Sequence, residues 1–191
     1  NKTPHEIAQQ IYKHKVNFIS VTPSFLRLLL LTEDITQTLL ESLKIVNYGA
    51  EKMSLNLLNV CTNKFPNTEF RQTYGTSETG TLNVKSISKD SLLMNLNEKN
   101  KRFKVIDNEI YIKPNTGFIC YLNAESPLTD DGWFPTGDFV HVNENDEFEI
   151  LGRIKDHINV GGLKVLPHEI ESKLLTLDFI SEIHVYGIPH E

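Results

Sequence analysis

The sequence has 191 residues, a net charge of −6 and 39% hydrophobic residues. This composition excludes a disordered or fibrous chain, and the length accommodates one domain or somewhat more. No apolar run is long enough to cross a bilayer and no signal peptide is visible, so we expect a cytoplasmic protein without a transmembrane segment. The two cysteines lack a CxxC spacing, and with the scattered histidines they predict free thiols and no zinc site.

Charge is unevenly distributed along the chain. Between Lys113 and Arg153 there is no Lys or Arg, whereas eight acidic residues occur there. Most of these acids are expected to form a solvated face. Because such a surface repels polyanions, the sequence predicts that the protein does not bind nucleic acid.

The first 80 residues predict alternating helices and strands. Helix starts are predicted where a hydroxyl residue precedes apolar residues at helical spacing, at Thr3, Thr22 and Ser54. Strands rich in β-branched and aromatic residues are predicted at residues 16–21, 44–48 and 70–74. This alternation predicts a parallel α/β sheet.

After Gly80 the pattern changes to short β-rich segments, which predicts an antiparallel or barrel-like portion. Strands are predicted at residues 104–106, 109–112, 118–122, 139–142 and 148–151. Asp107 and Asn108 are a turn pair compatible with a tight hairpin. From Arg153 a third pattern begins, with two strands around Gly161 and Gly162, a helix from Pro167 and a strand at residues 183–186.

The segment from Tyr74 to Gly80 follows a predicted strand and is rich in Gly, Thr and Ser. Backbone and hydroxyl groups of this kind can surround an anionic oxygen, and a neighbouring carboxylate can hold a cation that bridges phosphates. A plain polar turn fits the same composition. A hydrolase nucleophile elbow, with Ser77, Asp138 and a later His as a triad, is a further alternative. Against the elbow, its second glycine stands one position late, at Gly80.

This loop resembles the signature of the adenylate-forming superfamily, which includes acyl-CoA synthetases, luciferases and peptide-synthetase adenylation domains. The resemblance extends over nearly the whole chain, because separate blocks agree with the superfamily in order. These blocks are Asn47-Tyr48-Gly49-Ala50-Glu51, Tyr74-Gly75-Thr76-Ser77-Glu78, Gly132-Trp133-Phe134-Pro135-Thr136-Gly137-Asp138 and the segment 152–162.

The resemblance implies roles for the loop residues. Tyr74 would stack on adenine, and Gly75 and Thr76 would continue the adenine- and phosphate-binding loop. Ser77 would contact the α-phosphate where the family more often has Thr, and the exchange preserves the hydroxyl donor. Glu78 would bind Mg²⁺.

The resemblance also implies the remaining nucleotide contacts. Asp138 would accept hydrogen bonds from the ribose hydroxyls, although without its block it would be interpreted as an exposed turn acid. Arg153 would reach the ribose or a phosphate, and its alternative is a surface ion pair with one of the many acids. Ser77, Glu78 and Arg153 are the candidate catalytic residues. Further candidates are Gly49, Ala50 and Glu51 along the adenine, Gln72 at its amino edge, and Ile150, which would cover the nucleotide or simply belong to the core.

Lys155 aligns with the family's hinge, around which a small C-terminal domain swings between two half-reactions. Asn159 departs from a Lys that part of the family, including many CoA ligases, has there. Gly161 and Gly162 would lie by the thiol-acceptor tunnel, or form an ordinary β-turn.

The resemblance predicts an α/β fold in which residues 1–154 are the C-terminal part of the large AMP-binding domain. Residues 1–80 would be its parallel α/β subdomain and residues 81–154 its β-rich subdomain, and residues 155–191 would begin a small α+β domain. The family's phosphate loop and its catalytic Lys are expected before Asn1 and beyond Glu191. The chain is therefore expected to be an internal fragment that is inactive alone.

For the complete protein the resemblance implies an ATP- and Mg²⁺-dependent ligase. It would join a small-molecule carboxylate to AMP, release pyrophosphate, and transfer the acyl group to a thiol, CoA in the preferred interpretation. One alternative is an amino-acid adenylation domain of a nonribosomal peptide synthetase, with the phosphopantetheine of a carrier protein as acceptor. A non-catalytic nucleotide-binding remnant is the other.

Overall fold

A computed structural model describes residues 2–32, 40–82, 84–96, 102–115, 118–175, 177, 179–180 and 183–188. Contacts divide the chain into two compact units, Asn1–Asn100 and Lys101–Glu191. The domain boundary that the resemblance predicts at residues 154 and 155 stays a prediction.

Three helices of the first unit begin where hydroxyl residues predict them. They are α1 (Pro4–His14), α2 (Pro23–Leu31) and α3 (Leu55–Lys64). The side-chain oxygens of Thr3, Thr22 and Ser54 each accept a hydrogen bond from the backbone N–H three residues further on. These hydrogen bonds satisfy backbone N–H groups that the first turn of a helix otherwise leaves unpaired. The helix starts can therefore be predicted from the local sequence.

A parallel sheet of three strands forms the centre of the first unit, as predicted. The strands β1 (Phe18–Val21), β2 (Ile45–Tyr48) and β3 (Glu69–Gln72) lie in chain order across the sheet. The last residues of the three strands, Val21, Tyr48 and Gln72, stand side by side in the register. The segments that follow β1, β2 and β3 therefore leave the sheet at one edge.

Apolar side chains from the helices and the sheet form one core in the first unit. Its fully buried members include Ala8, Ile11, Leu26, Leu29, Val46, Tyr48, Leu58, Cys61 and Phe70. Burying each large aliphatic side chain contributes about 1.5–3 kcal/mol. This core fixes the sheet edge that carries the candidate residues.

Two hairpins complete the first unit. The first pairs β4 (Tyr74–Thr76) with β5 (Gly80–Leu82), and the second pairs β6 (Val84–Ser86) with β7 (Met94–Leu96). The predicted strand at residues 70–74 is therefore two strands, β3 and β4, separated by Thr73.

The second unit contains an antiparallel array of four strands in the order β8-β9-β10-β11. These strands are β8 (Phe103–Ile106), β9 (Glu109–Ile112), β10 (Phe134–Val142) and β11 (Phe148–Arg153). Asp107 and Asn108 both have positive φ, 49° and 63°, which the predicted tight turn between β8 and β9 requires. The combination of a parallel sheet with a later antiparallel portion confirms the predicted α/β fold class.

The last part of the second unit follows the predicted order of elements. A short 3₁₀ turn (Ile154–Asp156) leads to β12 (Ile158–Val160), β13 (Leu163–Val165) and helix α4 (Pro167–Leu174). Strands β12 and β13 form an antiparallel hairpin.

Two predicted strands are wrong. Residues 118–122 are irregular, and the Phe118 ring instead contacts the rings of Tyr121 and Phe134 edge-on, at centroid distances of 5.2 and 5.9 Å. Residues 183–186 are also irregular, and the Val185 N–H donates to the Glu171 carboxylate at 2.9 Å. A strand-like pattern of side chains does not by itself form a strand, because a strand must also pair with a neighbouring strand.

No helix among the described residues combines the length and the apolar character that crossing a membrane requires.

Candidate functional site

The edge of the parallel sheet at the ends of β1, β2 and β3 brings together the candidate residues that follow β2 and β3. The Gly49 N–H donates to the Val21 carbonyl at 3.3 Å, and the Thr73 N–H donates to the Tyr48 carbonyl at 2.8 Å. A Cβ atom added to Gly49 would lie 2.7 Å from the Thr73 carbonyl oxygen, so only glycine fits there. Ligands of open α/β sheets bind outside the carboxyl ends of the strands, which is where these segments lie.

Glu51 binds the start of helix α2 rather than pointing freely into this edge. Its carboxylate accepts a hydrogen bond from the Ser24 N–H at 2.9 Å. Hydrogen bonding to Ser24, above all to its side chain and also to its backbone N–H, lowers the pKa of Glu51 below its usual value. The neighbouring Ala50 has φ 65°, a left-handed conformation that non-glycine residues rarely adopt and that turns the chain towards this contact.

We expect Glu51→Gln to lower stability at neutral pH by about 0.5 kcal/mol, a small value because the side chain is exposed. The folded-state pKa is depressed, so the contribution is present above the unfolded pKa of about 4.3 and is lost as pH falls through the lower folded value. Urea unfolding of both proteins at pH 7 and at pH 3 measures this. An equal stability difference at both pH values would contradict it.

Gln72 lies at the end of β3, next to Tyr48. Its backbone N–H donates to Ser86 Oγ at 3.3 Å, and the Tyr48 hydroxyl donates to Gln72 Oε1 at 3.5 Å. Tyr48 is buried, and this burial raises the pKa of its phenol far above the usual range. The Gln72 side chain is thus held at the sheet edge by a neutral, buried neighbour.

The segment from Tyr74 to Gly80 is a β-hairpin. Tyr74 is buried, with 7% of its surface exposed, and pairs with Leu82. Gly75 faces Thr81, and a Cβ on Gly75 would lie 2.6 Å from the Thr81 Cα. The glycine of this motif is therefore required by the close approach of the two hairpin strands.

Thr76 and Thr79 close the turn of this hairpin. Each hydroxyl oxygen accepts the backbone N–H of the other residue, at 3.3 and 3.2 Å, and the two hydroxyls are 3.0 Å apart. Thr79 is fully buried, whereas Ser77 is exposed and Glu78 is half-buried at the tip. The turn therefore presents a hydroxyl and a carboxylate side by side.

The hairpin excludes the nucleophile elbow. An elbow places its Ser on a sharp turn from a strand into a helix. Ser77 instead lies between two antiparallel strands, β4 and β5. The hydrolase alternative is wrong for this reason.

Asp138 and Arg153 face each other across β10 and β11 in the second unit. Arg153 Nε lies 2.9 Å from Asp138 Oδ1, and Arg153 Nη1 donates to the Thr136 carbonyl at 2.6 Å. The Asp138 side chain is 10% exposed and the Arg153 side chain 49%. Arg153 thus forms an ion pair with an acid, which is the alternative interpretation of this residue. The acid is Asp138, the same residue that is predicted to bind the ribose.

Strand β10 is irregular next to this pair. Pro135 faces Tyr111 and Phe139 faces Glu109, so residues 136–138 lie against Ile110 alone. Side chains replace the missing strand bonds: Thr136 Oγ1 donates to the Ile110 carbonyl at 2.8 Å and accepts the Asp138 N–H at 3.1 Å. The Gly137 N–H donates to Glu109 Oε1 at 2.8 Å. The sequence pattern does not identify Glu109 as a site residue. It also does not predict the hydrogen bonds of Thr136, although Thr136 lies inside a recognised block.

The other predicted residues of the second unit lie apart from the bulge. Ile150 is half-buried on β11 opposite Val140, and Lys155 is exposed in the 3₁₀ turn. Gly161 and Gly162 have φ 58° and 87° and connect β12 to β13. A two-residue hairpin turn with two positive φ angles needs such residues, which confirms the β-turn interpretation of the two glycines.

The chemistry of these groups fits a magnesium nucleotide. Mg²⁺ is commonly bound through one or two carboxylates together with substrate phosphates, and Glu78 supplies one such carboxylate. No group of three His, Cys, Asp or Glu side chains suited to a metal ion occurs in the part of the chain that the structure describes. The half-exposed guanidinium of Arg153 offers donors to an anion.

Comparison with known proteins gives one family. A family model described as AMP-binding enzyme matches residues 1–117. The 4-coumarate–CoA ligase 1 of Glycine max is 28% identical over 95% of this chain and 70% of its own length. The 4-coumarate–CoA ligase 4 of Arabidopsis thaliana is also 28% identical, over 97% of this chain but only 36% of its own length.

Solved structures share the fold. ATP-bound MatB from Rhodopseudomonas palustris has a TM-score of 0.76 and 21% identity, over 100% of this chain and 41% of that protein. The anthranilate–CoA ligase AuaEII in complex with anthranoyl-AMP also has a TM-score of 0.76, with 19% identity over 98% of this chain and 39% of its own. The chain therefore spans about two fifths of the length of these solved proteins.

Proposed function

The chain belongs to the AMP-binding enzyme family, and from this premise we propose that it is part of an ATP- and Mg²⁺-dependent ligase. The ligase joins a carboxylate to AMP, releases pyrophosphate and transfers the acyl group to the thiol of CoA. The observation that carries the proposal is the buried Asp138 carboxylate beside the half-exposed Arg153, inside a block that resembles the family's ribose-binding block.

In the second unit, Asp138 binds the ribose and Arg153 binds the ribose or a phosphate. An ionised carboxylate accepts bonds from two hydroxyls at once, and its pairing with Arg153 at 2.9 Å keeps it oriented. Because Arg153 is half-exposed, its guanidinium can contact a nucleotide while it still holds Asp138. Ile150, on the same strand as Arg153, covers the nucleotide.

In the first unit, Tyr74 stacks on the adenine with its remaining exposed surface, and Gln72 contacts the amino edge. Gly49, Ala50 and Glu51 contribute backbone, since the Glu51 carboxylate is engaged by Ser24. The hairpin tip binds the phosphates, with Gly75 and Thr76 shaping the turn. Ser77 donates to the α-phosphate and Glu78 holds Mg²⁺, which the exposed Ser77 side chain and the half-buried Glu78 side chain at the tip support.

These residues suit the chemistry of acyl activation. A carboxylate is a poor electrophile, and ATP converts it to a mixed anhydride with AMP. The difficult point is the negative charge that develops at phosphorus, which fixed cations and donors stabilise. Arg153 and Ser77 supply a cation and a donor for this purpose, and the Glu78 carboxylate supplies an oxygen ligand for the metal ion.

The second half-reaction and the hinge complete the proposal. CoA is favoured as acceptor because relatives at 24–28% identity are named as CoA ligases. The exposed Lys155, in the 3₁₀ turn directly after β11, is the hinge between the large domain and a small mobile domain. Cys61 and Cys120 are both free thiols, which supports a cytoplasmic location.

We expect residues 1–191 alone to support little or no adenylate formation. The resemblance implies that a Lys of the phosphate loop and a catalytic Lys lie outside residues 1–191, and removing one stabilising donor already costs about 10²–10³ in rate. Carboxylate-dependent ATP–pyrophosphate exchange, measured for this chain and for the complete protein, checks this. Exchange by the chain at the rate of the complete protein would contradict the fragment interpretation.

A further inference from the structure

The bulge of β10 places Asp138 in an orientation that a regular strand would not give. Because residues 136–138 lie against Ile110 alone, the chain leaves and rejoins the ladder with β9 within a few residues. Bulges re-aim side chains and are frequent next to active sites. The conformation of these three residues therefore determines where the Asp138 carboxylate points.

Gly137 is the residue of this bulge whose backbone conformation is least restrained. It has φ 70°, a left-handed conformation, and it carries no side chain that could pack and hold it. Its N–H has lost a ladder partner and donates instead to Glu109 Oε1 at 2.8 Å. Arg153 Nη1 donates to the Thr136 carbonyl, which belongs to the same peptide group as the Gly137 N–H, and the Thr136 hydroxyl accepts the next N–H, that of Asp138. Among the bonds described for residues 136–138, Glu109 is the group that holds the N–H end of the Thr136–Gly137 peptide, whose carbonyl end Arg153 holds.

We propose that Glu109 is a positioning residue for nucleotide binding, which holds the Gly137 peptide so that Asp138 faces the ribose. This inference rests on the proposed function, since it assigns Glu109 a task in the same site. Glu109 reaches Asp138 only through the backbone and makes no contact with substrate in this role. If the Gly137 N–H loses its acceptor, the bulge populates other conformations and the binding-competent fraction falls, and the apparent affinity for ATP falls by the same factor.

Three variants of the complete protein test this by calorimetric titration with ATP. Glu109→Ala removes the acceptor, and we expect ATP to bind about tenfold more weakly, as for a competent fraction reduced to about a tenth. Glu109→Gln keeps an amide oxygen that accepts the same N–H, and we expect affinity within about twofold of wild type. Glu149→Ala, which removes another half-buried acid on the adjacent strand β11, is the matched control and binds like wild type.

A double-mutant cycle separates positioning from general support of the fold. Once Asp138 is replaced by Ala, its orientation is without consequence, so Glu109→Ala weakens ATP binding no further in that background. A structural role alone would lower the affinity of both backgrounds by the same factor. Should Glu109→Ala lose its circular-dichroism spectrum, Glu109→Asp, one methylene shorter, carries the same expectation.

The outcomes are distinct. If the complete wild-type protein binds ATP and Glu109→Ala binds equally well, or if the two losses add in the double variant, the positioning role is overturned and the proposed function stands. If the complete wild-type protein binds no ATP, the proposed function is overturned, and the role of Glu109 that rests on it falls with it.

Discussion

Replacing Asp138 by Ala is expected to weaken ATP binding about 100-fold. Each hydrogen bond to a charged group contributes about 1.5–3 kcal/mol, and 1.4 kcal/mol corresponds to a factor of ten. Loss of two ribose bonds therefore gives at least this change. The substitution also leaves Arg153 without the carboxylate that lies 2.9 Å from its Nε, so the guanidinium loses its orientation as well.

Titration of the complete protein with ATP and with 2′,3′-dideoxy-ATP measures this effect and its origin. The complete wild-type protein should prefer ATP, and Asp138→Ala should bind both nucleotides with equal, low affinity. Asp130→Ala, at an exposed position in the loop before β10, is the control and should behave like wild type. A variant at Asp138 that still discriminates against the dideoxy nucleotide would refute the ribose assignment.

The second large effect is expected at Glu78. Glu78→Gln preserves shape and removes the negative charge, and Mg²⁺ strongly prefers charged oxygen ligands. We expect the adenylation rate of the complete protein to fall about 100-fold at a fixed Mg²⁺ concentration, comparable to the loss of one electrostatic stabiliser. Glu78 is half-buried at the tip of the β4–β5 hairpin, so the substitution leaves the sheet core intact.

Pyrophosphate exchange as a function of Mg²⁺ concentration checks this prediction. The Glu78→Gln profile should shift to higher Mg²⁺, whereas a change confined to binding of the carboxylate substrate would leave the profile in place. Glu41→Gln, at an exposed position of the same unit, is the matched control. Identical Mg²⁺ dependence of wild type and Glu78→Gln would remove Glu78 from the metal site.

Much of the fold is readable from the sequence because local contacts determine it. The starts of α1, α2 and α3 depend on a hydroxyl and an N–H three residues apart. The turn at Asp107 and Asn108 depends on two residues that tolerate positive φ. Parallel β1, β2 and β3 follow from the helices between them, since parallel strands need such crossovers.

The parts that the sequence does not reveal depend on register between distant segments. The pairing of Asp138 with Arg153 requires the alignment of β10 with β11, and the bond from Gly137 to Glu109 requires a bulge whose length no motif encodes. The segment at residues 118–122 has strand-like composition, yet its aromatic ring packs on Phe134 instead. Local propensity identifies segments, whereas tertiary packing decides which of them pair.

In the candidate site as well, some features are recognisable from the sequence and others depend on tertiary packing. The residues from Tyr74 to Glu78 are recognisable as a block, but the hairpin that holds them is closed by reciprocal bonds between Thr76 and Thr79. Gly75 is explained by the approach of Thr81 rather than by a ligand. A motif residue can therefore serve the fold, whereas the binding roles of its neighbours Ser77 and Glu78 belong to the proposed function.

The most direct test of the proposed function is carboxylate-dependent ATP–pyrophosphate exchange by the complete protein, with a panel of aromatic, aliphatic and amino acids. An AMP-forming acid–thiol ligase exchanges label between pyrophosphate and ATP only when its carboxylate is present, and Asp138→Ala lowers that exchange at limiting ATP. Exchange with amino acids alone would favour a peptide-synthetase adenylation domain over a CoA ligase. ATP dependence unchanged by Asp138→Ala, or no exchange with any carboxylate of the panel, would contradict the proposed function.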